Sequence, residues 1–288
     1  MTKKIKLAKT AGFCYGVKRA VETTKKLKQD NNPEDVYVLG ELIHNSNVIR
    51  ELDDLGIKTV DDVPLNCNGY CVIRSHGASP ATFDKISKSN LEIMDLTCPD
   101  VKKVQKKAIE LAQEGYLTII VGKPDHPEVK AIKDNALEFS KSVYVISNAD
   151  EISEIEKEIA EQKKVGVVVQ TTQMINTLNK IVEKLVPISK ELKVFNTICA
   201  STSKRQREAK ELAKQSDLMI VVGSKKSANT THLAQIVKDI TDTIHIEDEK
   251  DLKSHTNKIK NAQNIGITAG ASTPDNIINE VIEAIKKI

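Results

Sequence analysis

The sequence predicts an α/β protein of three similar lobes, each with a mainly parallel sheet, in a pseudo-threefold arrangement about one central site. Three observations carry this expectation. A cysteine stands between a strand-like run and a helix-like run three times, at Cys14, Cys98 and Cys199. The helix after each cysteine leads to an apolar strand ending in glycine, at Gly40, Gly122 and Gly223, with cysteine-to-glycine separations of 26, 24 and 24 residues. A polar loop, a further helix-like stretch and a second strand with a polar tip then follow each glycine. Strands alternating with helices imply parallel pairing through right-handed crossovers.

The elements follow in chain order. "TAGFCYGVKRAVETTKKL" sets Cys14 between Gly12 and Gly16, so the backbone there can fold tightly before a basic amphipathic helix. "VYVLG" is the first glycine-ended strand, "ELIHNSNV" its polar loop and "CVIRSHGAS" its tip strand. "LEIMDLTCPDVKKVQKKAIELAQEG" repeats the start: Pro99 suits a first helical turn, and Val101, Val104, Ala108 and Leu111 lie at helical spacing. "LTIIVG", "KPDHPEV" and "VGVVVQTTQ" complete the second pass. "LKVFNTICASTSKRQREAKELAKQSD", "LMIVVG", "SKKSANTTHL" and "IGITAGAST" make the third. The expected lobes are residues 1–97, with the N-terminal strand, Cys14, His44 and His76; 98–193, with Cys98, His126, Glu128 and Thr171; and 194–288, with Cys199, Ser227, Asn229 and Ser272.

Bulk composition excludes several classes. Aromatics are 3% of the chain and Trp is absent, which argues against single-strand nucleic-acid binding on stacked rings. A net charge of +3 does not by itself imply a nucleic-acid or membrane partner. No apolar run approaches the roughly 20 residues of a membrane span. The start "MTKKIKLAKTAGFC" has no long apolar stretch and is expected to be a strand of a cytoplasmic protein rather than a signal peptide. Five dispersed cysteines make a poor disulfide framework, so reduced thiols are expected.

In open parallel sheets, ligands bind beyond the carboxyl ends of the strands, where every polar tip lies. Three convergent thiolates would suit a soft metal site. The spacing matches neither a zinc finger nor a ferredoxin, and leaves open a zinc with a free position or a [4Fe–4S] cluster whose fourth iron lacks a protein ligand. Cys67 and Cys71, in "CNGYC", fall outside the repeat, and Cys71 is expected to be a small buried residue. The tips carry His44, His76, His126, Thr171, Thr172, Ser227, Asn229, Ser272 and Thr273, donors that suit a phosphate or diphosphate. In "DHPEV", Glu128 is the one carboxylate in a tip that also carries a histidine, and burial would make it an acid near neutral pH. A lone zinc enzyme and a non-enzymatic redox sensor are the rival readings of the thiols.

The segments "GFCYGVKRA", "LIHN", "SHG", "TCP", "HPEV", "QTT", "GSKKSANTTHL" and "TAGASTPD", in this order, resemble the 4-hydroxy-3-methylbut-2-enyl diphosphate reductase (LytB) family from about residue 5 to 281. The resemblance implies a trefoil of three α/β lobes around one [4Fe–4S] cluster held by Cys14, Cys98 and Cys199. It implies reductive dehydroxylation of an allylic alcohol diphosphate to isopentenyl and dimethylallyl diphosphate. Glu128 then matches the proton source and Thr171 the relay to the substrate hydroxyl, with His126 beside them. His44, His76, Ser227, Asn229 and Ser272 match diphosphate-holding residues. A ferredoxin or flavodoxin is the expected electron donor, and a monomer the expected state. Ala228 stands where many relatives have serine, and Arg74 where some have a small residue.

Overall fold

The computed structural model describes residues 3–31 and 35–288. In chain order, β1 (Lys4–Leu7) leads to α1 (Tyr15–Asn31), β2 (Val36–Leu39), α2 (Ser46–Asp54), β3 (Ile57–Val60), β4 (Gly69–Ile73), α3 (Pro80–Ser87) and β5 (Leu91–Asp95). The second pass is α4 (Pro99–Gln113), β6 (Leu117–Val121), α5 (Pro127–Leu137), β7 (Val143–Ile146), α6 (Glu156–Gln162), β8 (Lys164–Val169), α7 (Ile175–Leu185) and β9 (Glu191–Val194). The third is α8 (Ala200–Ala213), β10 (Leu218–Val222), α9 (Ala228–Lys238), β11 (Asp242–Ile246), α10 (Thr256–Asn261), β12 (Asn264–Ala269) and α11 (Asp275–Lys286). Single 3-10 helices at Ala149–Ile155 and Glu249–His255 precede α6 and α10.

The strands form three four-stranded sheets of the same order: β3-β2-β4-β5, β7-β6-β8-β9 and β11-β10-β12-β1. Every pairing is parallel. Two compact units result. One contains the residues up to Lys18, Ile43–Glu51 and Ala200–Ile288, and holds the third sheet; the other contains Arg19–Leu42 and Leu52–Cys199, and holds the first two.

Helices on both faces explain why the central strands read as unbroken apolar runs rather than alternating ones. "LTIIV" of β6 and "LMIVV" of β10 are buried at every position. Ile119 and Val121 pack with Ile146, Leu178 and Ile181, while Ile120 turns to the other face. There it meets Val104, Ala108 and Leu111, the helical face read from the sequence. Ile220 and Val222 likewise pack with Ile267 and Val281, and Met219 and Val221 with Ala209 and Leu233. Among the described residues, no helix is long and apolar enough to cross a membrane.

The N-terminal strand does not pair within the first lobe, where the sequence reading put it. β1 pairs with β12, Lys4 opposite Asn264 and Leu7 opposite Ile267. It thereby fills the edge that β5 fills in the first sheet and β9 in the second. The strand before each cysteine therefore completes the sheet of the pass before it, and the third pass takes its edge from the start of the chain. Pairing between residues so far apart leaves no local trace in the sequence. β3, β7 and β11 are also strands that the repeat reading passed over. They lie at the opposite sheet edges, and polar residues break their apolar pattern, as in "IKTV" and "DTIHI".

The backbone repeats as well as the topology. The amides of Gly40, Gly122 and Gly223 donate to the carbonyls of Val60, Ile146 and Ile246 at 2.7, 2.9 and 2.8 Å. Each glycine thus ties the end of its strand to the neighbouring edge strand, just where the polar loop begins. Gly40 adopts φ +67°, and the Arg74 guanidinium occupies the space where a Cβ would stand.

Candidate functional site

The three cysteines occupy one structural position three times over. Each stands directly before a long helix: Cys14 before α1, Cys98 as the N-cap of α4, and Cys199 before α8. Each backbone amide donates to a carbonyl at the tip of a neighbouring strand. The pairs are Cys14 to Ala271 at 3.3 Å, Cys98 to Ser75 at 3.0 Å and Cys199 to Thr171 at 3.0 Å. All three are half-buried free thiols. The Val17 amide donates to the Cys14 sulfur at 3.5 Å. Soft donors of this kind suit iron–sulfur or zinc chemistry.

Glu128 is the buried acid of the second sheet's polar tip. Pro127 opens α5, His126 caps it, and the Glu128 amide donates to His126 Nδ1 at 3.1 Å. That bond leaves the proton of a neutral His126 ring on Nε2. The His76 and His126 rings meet edge to face, with centroids 5.1 Å apart. The Glu128 side chain is 1% exposed. The Thr171 amide donates to its Oε1 at 2.7 Å and the Thr171 hydroxyl to its Oε2 at 2.8 Å. Burial pushes the carboxyl up to about 7, and the charge of Asp100 adds to the rise; the two bonds from Thr171 pull the other way and are outweighed. Desolvation thus decides the outcome at a helix N-terminus, where the macrodipole alone would favour the anion. Glu128, Thr171, His126 and Cys199 are therefore joined by short contacts, with Thr171 donating to Glu128 and accepting from the Cys199 amide through its carbonyl.

The other tips also sit at helix N-termini, where free amides and the helix dipole suit an anion. His44 precedes Asn45, whose Oδ1 accepts from the amides of Asn47 and Val48 at the start of α2 at 3.0 and 3.2 Å. The Ser272 hydroxyl donates to the His44 carbonyl at 3.4 Å. Ser227 caps α9, its Oγ accepting from the Thr230 amide at 3.5 Å. Ala228 and Asn229 follow, both buried. Asn229 is 4% exposed, yet neither its amide nitrogen nor its amide oxygen has a hydrogen-bond partner within the protein. Leaving such groups unmet costs about 1–3 kcal/mol each, so this side chain adds nothing to folding and is available to a polar ligand.

Sequence reasoning did not single out Gln170, Thr230 or Thr268. All three are fully buried, and each presents a polar atom with no partner within the protein. Gln170 Oε1 accepts the Lys123 amide at 3.1 Å, which ties two loops of the second sheet and leaves the Nε2 of the same side chain over. A Cβ on Gly122 would come within 2.8 Å of Gln170 Oε1 and 2.7 Å of Val129. The polar letters of "QTT" and of "NTT" were the available signal. Cys71 is a core residue whose thiol burial pushes up to about 11, and Cys67 packs on the same cluster with its Sγ donating to the Leu65 carbonyl at 3.3 Å. Burial lowers the pKa of the half-buried Arg74 guanidinium, and the charge of Glu41 partly offsets this.

Comparison with known proteins gives one answer. The model of the family described as LytB protein matches residues 5–286. The 4-hydroxy-3-methylbut-2-enyl diphosphate reductase of Geotalea uraniireducens is 41% identical over 286 residues, covering 99% of this chain and 98% of its own. The enzyme of the same name from Clostridium perfringens is 40% identical and aligns over the whole of both chains. Among solved structures, (E)-4-hydroxy-3-methyl-but-2-enyl diphosphate reductase, the terminal enzyme of the non-mevalonate pathway, is 36% identical with a TM-score of 0.71 over all of both chains. The E-1-hydroxy-2-methyl-but-2-enyl-4-diphosphate reductase of Plasmodium falciparum is 28% identical with a TM-score of 0.89, covering 98% of this chain and 88% of that one. The fold, the repeated cysteine position and these full-length matches agree, and the chain belongs to the LytB protein family.

Proposed function

We propose that this chain is a 4-hydroxy-3-methylbut-2-enyl diphosphate reductase. It removes the allylic hydroxyl as water, consuming two electrons and two protons, and releases isopentenyl or dimethylallyl diphosphate. The observation that carries the proposal is the buried Glu128 carboxyl, raised to about 7 and bonded to the Thr171 hydroxyl at 2.8 Å.

Cys14, Cys98 and Cys199 are the residues that would hold a [4Fe–4S] cluster. Three half-buried free thiols at three equivalent helix starts fit that group. When bound, the cluster supplies the electrons and a Lewis-acidic iron. The rest falls to side chains of this chain. Near neutral pH Glu128 holds a proton in a water-poor setting. Once protonated, its Oε2 donates to Thr171 Oγ1, which frees the threonine hydroxyl to donate onward to the leaving oxygen. That relay delivers a proton where charge develops as the C–O bond breaks. His126, held by its bond to the Glu128 amide, faces the same substrate end. His44, His76, Ser227, Asn229 and Ser272 bind the diphosphate, with the unmet Asn229 amide and the α9 N-terminus as anion-matching donors. A ferredoxin or flavodoxin delivers the electrons, and the chain works as a monomer.

The test is to purify the protein without oxygen and record visible and electron paramagnetic resonance spectra, with iron and sulfide counts, before and after adding the diphosphate substrate. A brown protein with about four irons whose spectrum shifts on substrate supports the reading. A colourless protein with a single zinc overturns it.

A further inference from the structure

We infer that Arg205 and Glu208 of α8 are positioning residues for Cys14, and that Arg19 of α1 is the positioning residue for Cys98. The inference rests on the reading of these cysteines as cluster ligands.

The loop from the end of β1 to Cys14 has no helix or strand of its own, so its shape must be imposed. α8 imposes it from one side. The Glu208 carboxylate accepts from the Lys9 amide at 2.7 Å, the Thr10 amide at 2.9 Å and the Thr10 hydroxyl at 2.5 Å. One helical turn earlier, Arg205 is 2% exposed and forks between two segments: Nη2 donates to the Gly12 carbonyl at 2.8 Å and Nη1 to the Ala269 carbonyl at 2.7 Å. Ala269 ends β12, and Ala271, two residues on, accepts the Cys14 amide. The guanidinium therefore sets the loop before Cys14 against the strand tip to which Cys14 itself is bonded. Gly12 lies at φ +93°, and a Cβ there would come within 2.7 Å of Asp275 Oδ1, so this loop shape requires glycine at that position.

The first sheet repeats the device. Arg19 Nη2 donates to the carbonyls of Leu96 and Thr97 at 3.1 and 2.8 Å, the two residues directly before Cys98. The Thr97 amide donates to Asp95 Oδ1 at 2.9 Å and the Leu96 amide to the Ile73 carbonyl at 3.0 Å, which closes the same loop from the other side. The loop before Cys199 is held by a hydroxyl: Thr197 Oγ1 bridges the carbonyl and amide of Val169 at 2.6 and 2.8 Å. In two of three cases, then, the helix that begins at one cysteine carries the arginine that orients the loop of another. A planar guanidinium aims its donors in fixed directions, whereas a lysine ammonium is a point charge on a flexible stem whose donors rotate. Ligands must be held within about 0.5 Å of working geometry by such supporting groups.

The test uses the iron-loaded protein handled without oxygen, with the variants Arg205→Met, Arg205→Lys, Glu208→Gln and Arg19→Met. Two quantities are read: the rate of iron release to a chelator, and hydrogen exchange of segments 8–14 and 94–98 in iron-free protein. Loss of an outer support lowers metal affinity by about 10–100-fold, and Arg205→Met is expected to release iron faster by a factor in that range. Arg205→Lys falls between it and the wild type. Arg205→Met and Glu208→Gln speed exchange in 8–14 and not in 94–98, and Arg19→Met does the reverse. A merely structural role would lower stability without this segment selectivity. Iron release at the wild-type rate, or exchange that rises equally in both segments, overturns the inference. Should Arg205→Met fail to fold, Glu208→Gln carries the same test. A wild type that binds no iron overturns the cluster reading instead, and the exchange measurements still decide the clamp.

Discussion

Thr171 holds Glu128 at both carboxylate oxygens, its amide on Oε1 at 2.7 Å and its hydroxyl on Oε2 at 2.8 Å. Its own carbonyl takes the Cys199 amide at 3.0 Å. One residue therefore joins the acid to Cys199, a cluster ligand in the proposed reading, and most expected outcomes follow from that junction.

Glu128→Gln keeps the shape and one acceptor for the Thr171 amide but carries no proton to give. Turnover falls by about 10²–10⁴-fold, the usual span for a positioned acid, while iron content and KM stay near those of the wild type. Steady-state kinetics with an iron count on the same sample checks this; retention of most activity removes Glu128 from its role.

The raised pKa makes stability depend on pH. Below the ordinary value of 4.5, folded and unfolded chains both bind the proton and no penalty arises. As pH rises from 4.5 to about 7 the unfolded carboxyl ionises first, so stability is lost across that window. The full loss, on the order of 3 kcal/mol, persists above it. The Tm of Glu128→Gln should therefore gain on that of the wild type between about pH 5 and pH 8. Thermal melts of both proteins across that range give the answer, and a pH-independent difference contradicts it.

Thr171→Val removes the hydroxyl bond and leaves the amide bond. The lost bond is one that lowers the Glu128 pKa, so the alkaline limb of the pH–rate profile moves to higher pH. At the same time kcat drops, because the relay is gone. A profile that keeps its midpoint would separate Thr171 from the acid.

Asn229→Ala deletes a buried amide with no partner in the protein. Removing such a group relieves a desolvation cost of about 1–3 kcal/mol, partly spent on the small cavity left behind. The unliganded variant is expected to melt at or above the wild-type temperature while KM rises at least tenfold. A clear fall in Tm with unchanged KM would make Asn229 a folding residue.

Ala228→Ser adds a hydroxyl at the first position of α9, beside the Ser227 cap. A hydrogen bond to a charged group is worth about 1.5–3 kcal/mol. KM should fall by about tenfold or more, since 1.4 kcal/mol corresponds to a factor of ten. An unchanged KM means that Ala228 withholds nothing from the diphosphate.

Local pattern carried much of the architecture. The apolar runs of β6 and β10, the helical spacing of Val101, Val104, Ala108 and Leu111, and the cysteine-to-glycine register are short-range features, and short-range sterics and burial decide them. The motifs around Cys14, Cys98, Cys199, Glu128 and Asn229 were equally open to reading, because each lies within a few contiguous residues. Tertiary structure decided the rest. β1 left the first lobe for β12 because an edge more than 250 residues away offered its amides partners. Glu128 became an acid near neutral pH because distant segments excluded water from it, and a letter in a loop says nothing of its solvent. Arg19 and Arg205 read as two more charges on basic helices until the fold set carbonyls of the cysteine loops against them. Periodicity is a property of neighbours in the chain, whereas desolvation and long-range hydrogen bonding are properties of neighbours in space, and the chemistry of this site depends on the second kind.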